Sequence, residues 1–172
     1  MSKAIAIIGS SREKGNTRLI LDEVIKNQNI EVINLLETNI SYYDYEHKNR
    51  NDDFISIISK VVQCDNIIFV SPVYWYSLSA PMKIFIDRFS DLLRIEKDKG
   101  RQLRGKKTYL ISTGSEENCP ECFEQAFKLT CDYLGMHYQD MLYCYFENNL
   151  TLPLNAIERA QQFSKKIFVD SN

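Results

Sequence analysis

The chain of 172 residues lacks the features that mark membrane, secreted or nucleic-acid-binding proteins. No apolar run approaches the roughly 20 residues that cross a bilayer. The first predicted strand begins at Ala4, which leaves no room for a signal peptide. The chain has five cysteines, an odd number, and their spacing is not that of a disulfide framework. The net charge is −2, so the chain offers no basic surface for nucleic acid. We therefore expect a cytoplasmic protein with no membrane or nucleic-acid partner.

Glycine is also scarce, with six residues, and the two common phosphate-binding loops are absent. A Walker A loop needs Lys directly after its second Gly, whereas Asn16 follows Gly15 here. A Rossmann fingerprint needs a second Gly two residues after the first, whereas Ser11 follows Gly9 at that spacing. Neither fingerprint is therefore available for a triphosphate or a dinucleotide.

The composition is that of a globular protein, and the pattern is that of an α/β fold. Hydrophobic residues make up 44% of the chain and charged residues 26%, and we expect residues 1–172 to form a single domain. Short apolar runs predict strands at 4–8, 30–35, 67–70, 109–111 and 141–146. Helical stripes fall within 54–61, 82–92, 123–130 and 157–167. This alternation predicts a parallel sheet with helices on both faces.

The segment GSSREKGNT, residues 9–17, lies at the first predicted strand-to-helix junction. Backbone N–H groups and the positive end of a helix make such a junction an anion site. The loop offers the hydroxyls of Ser10, Ser11 and Thr17, the amide of Asn16 and the guanidinium of Arg12. These donors suit a single terminal phosphate, as in FMN. The alternative is an ordinary helix N-cap.

The segment SPVYWYSLSAPMKIFIDRF, residues 71–89, lies at another strand-to-helix junction. Near its start it carries Tyr74, Trp75 and Tyr76, shortly after Ser71 and Pro72, where the chain turns out of the sheet. A flat aromatic wall next to a phosphate cradle favours a phosphorylated planar cofactor. The alternative is that these aromatic residues belong to the core. Pro81 predicts a helix start nearby, because proline is tolerated in the first turn.

With the segment STGSEE at 112–117, these blocks make the chain resemble the NADPH-dependent FMN reductase family. The resemblance implies a flavodoxin-like three-layer sandwich with a five-stranded parallel sheet in the order 2-1-3-4-5. It implies that FMN is bound without a covalent bond and that NADPH or NADH donates electrons. It also implies a homodimer or homotetramer.

The resemblance further implies which residues contact FMN. The phosphate would be held by Ser10, Arg12, Asn16 and Thr17. The ribityl chain and isoalloxazine would be lined by Pro72, Val73, Tyr74 and Trp75, with Thr113, Gly114 and Ser115 at the other side of the ring. No protein nucleophile is expected, since the flavin performs the redox chemistry.

The expected function is an FMN-dependent oxidoreductase that transfers electrons from NAD(P)H to a small acceptor. A quinone, an azo compound, a metal oxyanion and free flavin all remain open as acceptors. One alternative is an electron-carrier flavodoxin serving protein partners, against which the mild net charge of −2 argues. Another is a flavin-free regulatory domain that has kept the fold.

Three charged residues, Lys83, Asp87 and Arg88, are predicted on the polar side of the helix that follows the aromatic segment. We interpret them as solvated charges or a helix ion pair, whereas the resemblance suggests an oligomer contact.

Two cysteines, Cys119 and Cys122, precede another predicted helix. A helix N-terminus favours a thiolate, so one of them is expected to be the most reactive thiol. We interpret the pair as incidental to turnover, and no metal is expected because a structural zinc site wants four ligands.

Some relatives of the family carry an iron–sulfur cluster in the loop after the second strand. Residues 39–47 contain no cysteine, so cluster binding by this route is not expected. Candidates for a substrate pocket or a subunit contact are Tyr42, Tyr43, Tyr45 and His47. For His47 we favour the interpretation as a surface histidine.

Overall fold

The computed structural model describes residues 3–146, 152 and 154–168, and its centre is a five-stranded parallel sheet. In spatial order the strands are Glu31–Asn34 (β2), Ala4–Ile8 (β1), Asn66–Val70 (β3), Lys107–Gly114 (β6) and His137–Tyr145 (β7). Counted along the sheet strands alone, this is the expected order 2-1-3-4-5. The fold is flavodoxin-like, as predicted.

Helices cover both faces of the sheet. They are Asn16–Val24 (α1), Phe54–Val61 (α2), Ala80–Asp87 (α3), Phe89–Arg94 (α4), Lys97–Gln102 (α5), Glu121–Tyr133 (α6) and Leu154–Phe168 (α7). A 3₁₀ turn spans Leu35–Glu37. Among the described residues, no helix combines the length and the apolar character needed to span a membrane.

Alternate residues of each central strand point into two separate cores. In β1, Ile5 and Ile7 pack with α2, α3 and α6, whereas Ala6 and Ile8 pack with α1 and α7. All five residues of β1 are buried, which is why this strand is a continuous apolar run. Burial of each large apolar side chain contributes about 1.5–3 kcal/mol.

The strands at the far side of the sheet are longer than the apolar pattern predicts. Strand β7 begins at His137 with polar residues and shifts register against β6 between Thr108 and Tyr109. As an edge strand it is covered on fewer sides, so its first half has no apolar signature. Strand β2 lies at the other edge, as its more polar sequence indicates.

Of the two interpretations of Arg88, a solvated charge is wrong, and the residue forms an ion pair three positions along the chain instead. Its side chain is buried, and its guanidinium forms ion pairs with Asp52 and, at 2.8 Å through Nε, with Asp91. The same guanidinium donates to the carbonyl oxygen of Ser41 at 3.0 Å. Arg88 thus fixes the long segment between β2 and α2 onto α3 and α4. By contrast, Lys83 and Asp87 do form the expected surface ion pair.

The interpretation of His47 as a surface histidine is also wrong. Its ring is mostly buried, and Nδ1 lies 2.8 Å from a carboxylate oxygen of Asp91. His47 joins the buried cluster around Arg88 through Asp91, because one carboxylate oxygen of Asp91 pairs with Arg88 and the other lies next to His47. Tyr42 and Tyr45, in the same segment, are largely exposed.

Candidate functional site

The predicted site segments meet at one edge of the sheet, where β1, β3 and β6 end side by side. Backbone hydrogen bonds continue beyond the strands and join the loops to one another. Gly9 N donates to Val70 O at 2.9 Å, and Ser71 N donates to Ile111 O at 3.1 Å. In an open parallel sheet this edge is where ligands bind, at the point where the winding direction reverses.

The β1–α1 loop is folded tightly upon itself. The hydroxyl of Ser10 donates to Arg12 O at 3.2 Å, and this hydroxyl is almost completely buried. A Cβ on Gly15 would lie 3.0 Å from the Cβ of Arg12, so the absence of a side chain permits the curl. The side chain of Arg12 itself extends into solvent at the rim of the loop.

The first turn of α1 has neither a capping side chain nor an acidic residue of its own. Gly15 is the N-cap and provides no side-chain cap, and no acidic residue lies in the first turn. Unsatisfied N–H groups and the helix dipole therefore give this end a positive potential. The side-chain oxygen of Asn16 is buried and, within the described residues, has no hydrogen-bond partner.

Thr17 and Thr113 are in direct contact. Their hydroxyl oxygens are 2.6 Å apart, and both residues are at most 5% exposed. One hydroxyl donates to the other, which leaves the acceptor's own proton available to a third group. Sequence reasoning assigned Thr17 to the phosphate and Thr113 to the ring, yet the two threonines lie at the same end of the site.

The aromatic segment forms a small antiparallel hairpin that the sequence did not predict. Strands Val73–Tyr74 (β4) and Ser77–Leu78 (β5) are joined by Trp75 and Tyr76, whose φ angles are +49° and +63°. Two-residue turns with both φ angles positive normally use Asn and Gly. Two aromatic residues there are strained, which is a feature associated with functional sites.

The hairpin is anchored at its base and at its tip. At the base, Ser79 N donates to Ser71 Oγ at 3.1 Å, and Ser79 Oγ donates to Gly9 O, which connects the hairpin to the β1–α1 loop. At the tip, Cys122 Sγ lies 3.3 Å from Tyr76 O. Ser79 is also the N-cap position of α3, which begins with Ala80 and Pro81 as predicted.

A cavity of about 260 Å³ opens between the hairpin and the loop that joins β6 to α6. Four predicted site residues line it: Val73, Trp75, Gly114 and Ser115. Tyr74 and Pro72 do not line it, and Pro72 is buried. Sequence reasoning missed the other lining residues, which are Tyr76, Glu116, Pro120 and Tyr143.

Tyr143 is the most informative of the missed residues. It comes from β7, and its hydroxyl donates to Glu116 O at 2.5 Å. Burial, supported by the nearby Cys119 and Glu116, raises the pKa of Tyr143 to about 12, so the phenol remains a neutral donor. In the sequence it is one aromatic residue within an edge strand, with no motif around it to indicate a role.

The thiol of Cys119 is not activated by the helix that follows it. Burial raises the pKa of this thiol to about 11, against the expectation that a helix N-terminus would favour thiolate. Cys119 precedes the N-cap Pro120, and Cys122 is the one exposed cysteine of the five. No group of three or more potential metal ligands occurs within the described residues.

Comparison with known proteins agrees with this architecture. Residues 2–149 match the family described as NADPH-dependent FMN reductase. The chain is 33% identical over 122 residues to YwqN of Bacillus subtilis, whose name describes an NAD(P)H-dependent FMN-containing oxidoreductase; the match covers 66% of this chain and 67% of YwqN.

Two further proteins are similar to this chain. An iron–sulfur flavoprotein of Methanocaldococcus jannaschii is 34% identical over 128 residues, which is 67% of this chain and 64% of that protein. The solved structure of the Trp repressor binding protein from Bacillus subtilis superposes with a TM-score of 0.78 at 25% identity, covering 99% of this chain and 100% of that one.

Proposed function

The chain belongs to the NADPH-dependent FMN reductase family, and from this membership we propose that it transfers electrons from NAD(P)H through FMN to a small acceptor. One observation carries the proposal. A buried, hydroxyl-rich anion cradle and an aromatic-rimmed cavity adjoin at one edge of the sheet. Only a ligand with an anionic end and a planar end uses both.

The phosphate of FMN is assigned to the β1–α1 loop and the start of α1. The uncapped N-terminus of α1 supports this assignment, and the buried side-chain oxygen of Asn16 has no hydrogen-bond partner among the described residues. A side-chain amide carries both an acceptor and donors, so a turn of the amide presents N–H to a phosphate oxygen. Thr17 and Ser10 add buried hydroxyls, and Arg12 adds a mobile positive charge at the rim.

Thr113 is assigned to the phosphate end together with Thr17. The 2.6 Å hydrogen bond between them orients both hydroxyls, so that one proton is directed away from the pair. This refines the role implied by the resemblance, in which Thr113 flanks the ring.

The isoalloxazine ring is assigned to the cavity between the hairpin and the β6–α6 loop. Val73, Gly114 and Ser115 line its interior, and Trp75 stands at its mouth with 94% of its surface exposed. A flat exposed indole stacks readily on a planar ring.

When bound, FMN supplies the redox chemistry, because it accepts a hydride and returns electrons singly or in pairs. The residues of the chain bind it, orient it and exclude water from one side. Tyr143 keeps its proton at neutral pH and remains a hydrogen-bond donor, since its pKa is raised to about 12.

We favour planar aromatic acceptors, such as quinones and azo compounds, among the possible substrates. The exposed aromatic rim is suited to stacking, whereas a small metal oxyanion or a protein partner would gain little from it. Free flavin is a planar acceptor too. The electron-carrier alternative needs a docking surface for protein partners at this same edge.

The test is an anaerobic titration of the purified, FMN-loaded protein with NADPH and with NADH. We expect either nucleotide to bleach the flavin absorbance without a partner, and a quinone to restore it. Failure with both nucleotides, with rapid reduction by a flavodoxin reductase, would support the carrier alternative. Equal affinity for FMN and riboflavin would refute the phosphate assignment.

A further inference from the structure

The β6–α6 loop that faces the cavity has a single side-chain tether from outside. Residues 115–118 are exposed, and within the described part of the chain one hydrogen bond reaches them from another element. That bond runs from the hydroxyl of Tyr143 to Glu116 O at 2.5 Å. An exposed loop with one tether depends on it for its conformation.

Two features place Tyr143 for this hydrogen bond, one contact to its backbone and one glycine beside its ring. Arg159, in α7, donates from Nη2 to Tyr143 O at 2.8 Å and so satisfies a carbonyl of the edge strand β7. The phenol crosses over Gly114, and a Cβ at that position would lie 2.5 Å from the Tyr143 hydroxyl. Gly114 is therefore needed for the phenol to reach Glu116 O.

Tyr143 also lines two cavities at once. One is the 260 Å³ cavity assigned to the ring, and the other, of about 550 Å³, lies towards α7. The ring of Tyr143 thus forms a wall between them. A displaced Tyr143 would release the loop and open the ring cavity on this side.

We propose that Tyr143 is a positioning residue for the flavin ring, because its hydroxyl holds Glu116 O and with it the backbone of residues 115 and 116 beside the ring cavity. The inference rests on the proposed function, since it takes this cavity as the ring site. The loop carries backbone N–H groups beside the cavity, and their orientation decides whether they donate to the ring. Tyr143 acts through the loop and contributes no proton to the reaction.

The test compares Tyr143→Phe with the parent in binding of FMN and of riboflavin, measured by quenching of flavin fluorescence. Loss of one buried hydrogen bond should weaken both flavins by the same factor, roughly five- to tenfold. The absorption maximum and the midpoint potential of bound FMN should also shift, because the loop no longer donates in a fixed direction.

Tyr109→Phe is the matched control. The Tyr109 hydroxyl donates to Lys166 O at 3.2 Å, and Tyr109 belongs to the core on the side of α1 and α7. This variant therefore also loses a hydrogen bond from a largely buried phenol to a carbonyl. We expect it to bind both flavins like the parent, with an unchanged spectrum. An equal loss in both variants would reduce the effect to general stability and overturn the proposal.

The outcomes separate the two proposals. A parent protein that binds no flavin would refute the proposed function. A parent that binds flavin, with Tyr143→Phe identical to it in affinity and spectrum, would refute the role of Tyr143. If Tyr143→Phe does not fold, Gly114→Ala displaces the phenol by contact instead, and an unaltered flavin spectrum in that variant would equally overturn the proposal.

Discussion

The two ends of the candidate site differ in how much of their structure exists before a ligand binds. At the phosphate end, Ser10, Thr17 and Thr113 are at most 5% exposed and are already hydrogen-bonded. At the ring end, Trp75 is 94% exposed on a strained turn. A preorganised end loses little conformational entropy on binding, whereas an open end must become ordered.

This difference predicts that the two ends of the site have separate roles in ligand selection. The phosphate end, which we call the rigid end, should select for a cofactor that carries a phosphate. A ligand without a phosphate would leave buried donors unpaired, which lowers its affinity. The open end should tolerate different planar rings, because exposed aromatic side chains can adjust. Cofactor specificity and acceptor tolerance would then come from different loops.

The largest expected effect comes from placing a negative charge at the rigid end with Asn16→Asp. The substitution keeps the side-chain shape but replaces an amide donor with a carboxylate, which repels a phosphate. We expect FMN affinity to fall about 100-fold, roughly 3 kcal/mol, with riboflavin affinity unchanged. Titrations of both flavins by fluorescence quenching measure the two values.

The same variant places a carboxylate where the side-chain oxygen of Asn16 is buried without a hydrogen-bond partner among the described residues. Desolvation of that charge opposes the favourable effect of the helix dipole, so urea unfolding should show no gain in stability without flavin. Asn118→Asp is the control, because it makes the same change in the exposed β6–α6 loop and should leave FMN affinity nearly unaltered. Parallel losses of FMN and riboflavin in Asn16→Asp would contradict the division between the two ends.

The rigid end was also the more predictable of the two. The continuous apolar run of residues 4–8 gave the strand bounds directly, because β1 is buried on both faces. The polar loop after it then had to lie at the sheet edge. What the pattern could not contain is the contact of Thr17 with Thr113, because it joins residues 96 positions apart.

The ring end resisted prediction for local and for long-range reasons. Two-residue hairpin turns with positive φ angles normally use Asn and Gly. Trp75 and Tyr76 therefore did not indicate a hairpin, although both adopt positive φ angles. Tyr143 reaches Glu116 only because Gly114 lacks a Cβ. Arg88 was assigned to solvent because its helix position is visible in sequence and its partner Asp52, on a distant segment, is not.

An intermediate effect is expected from relieving the strain at the open end with Tyr76→Gly. Glycine adopts the φ of +63° without a steric penalty, so apo-protein stability should rise by about 1 kcal/mol. Loss of a cavity-lining phenol should at the same time weaken FMN and riboflavin to the same extent. Urea unfolding and flavin titration provide the two measurements.

Asn27→Gly is the matched control for strain. Asn27 has a φ of +64° in the turn after α1, outside the candidate site. Asparagine tolerates this region, so the gain in stability should be smaller and flavin binding should not change. If Tyr76→Gly were destabilising, the positive φ angles would not be a source of strain. The description of the ring end as a strained turn would then be wrong.

The smallest effect on turnover is expected from the cysteines, with the double variant Cys119→Ser and Cys122→Ser. The flavin passes electrons without a dithiol, so the variant should retain FMN and most NAD(P)H oxidation. Serine at 122 can still donate to Tyr76 O, which preserves the anchor at the tip of the hairpin. Turnover with a quinone, compared with the parent, measures the effect.

Alkylation kinetics test the assignment of the two thiols separately. With a pKa of about 11, Cys119 is thiolate in roughly one molecule in a thousand at pH 8. Its alkylation should therefore speed up about tenfold per pH unit and level off only as the pH passes 11. The exposed Cys122 should react first, and Cys122→Ser alone should remove the fast phase. A double variant that binds FMN normally yet no longer reduces its acceptor would instead make the pair a relay between the open end and a disulfide substrate.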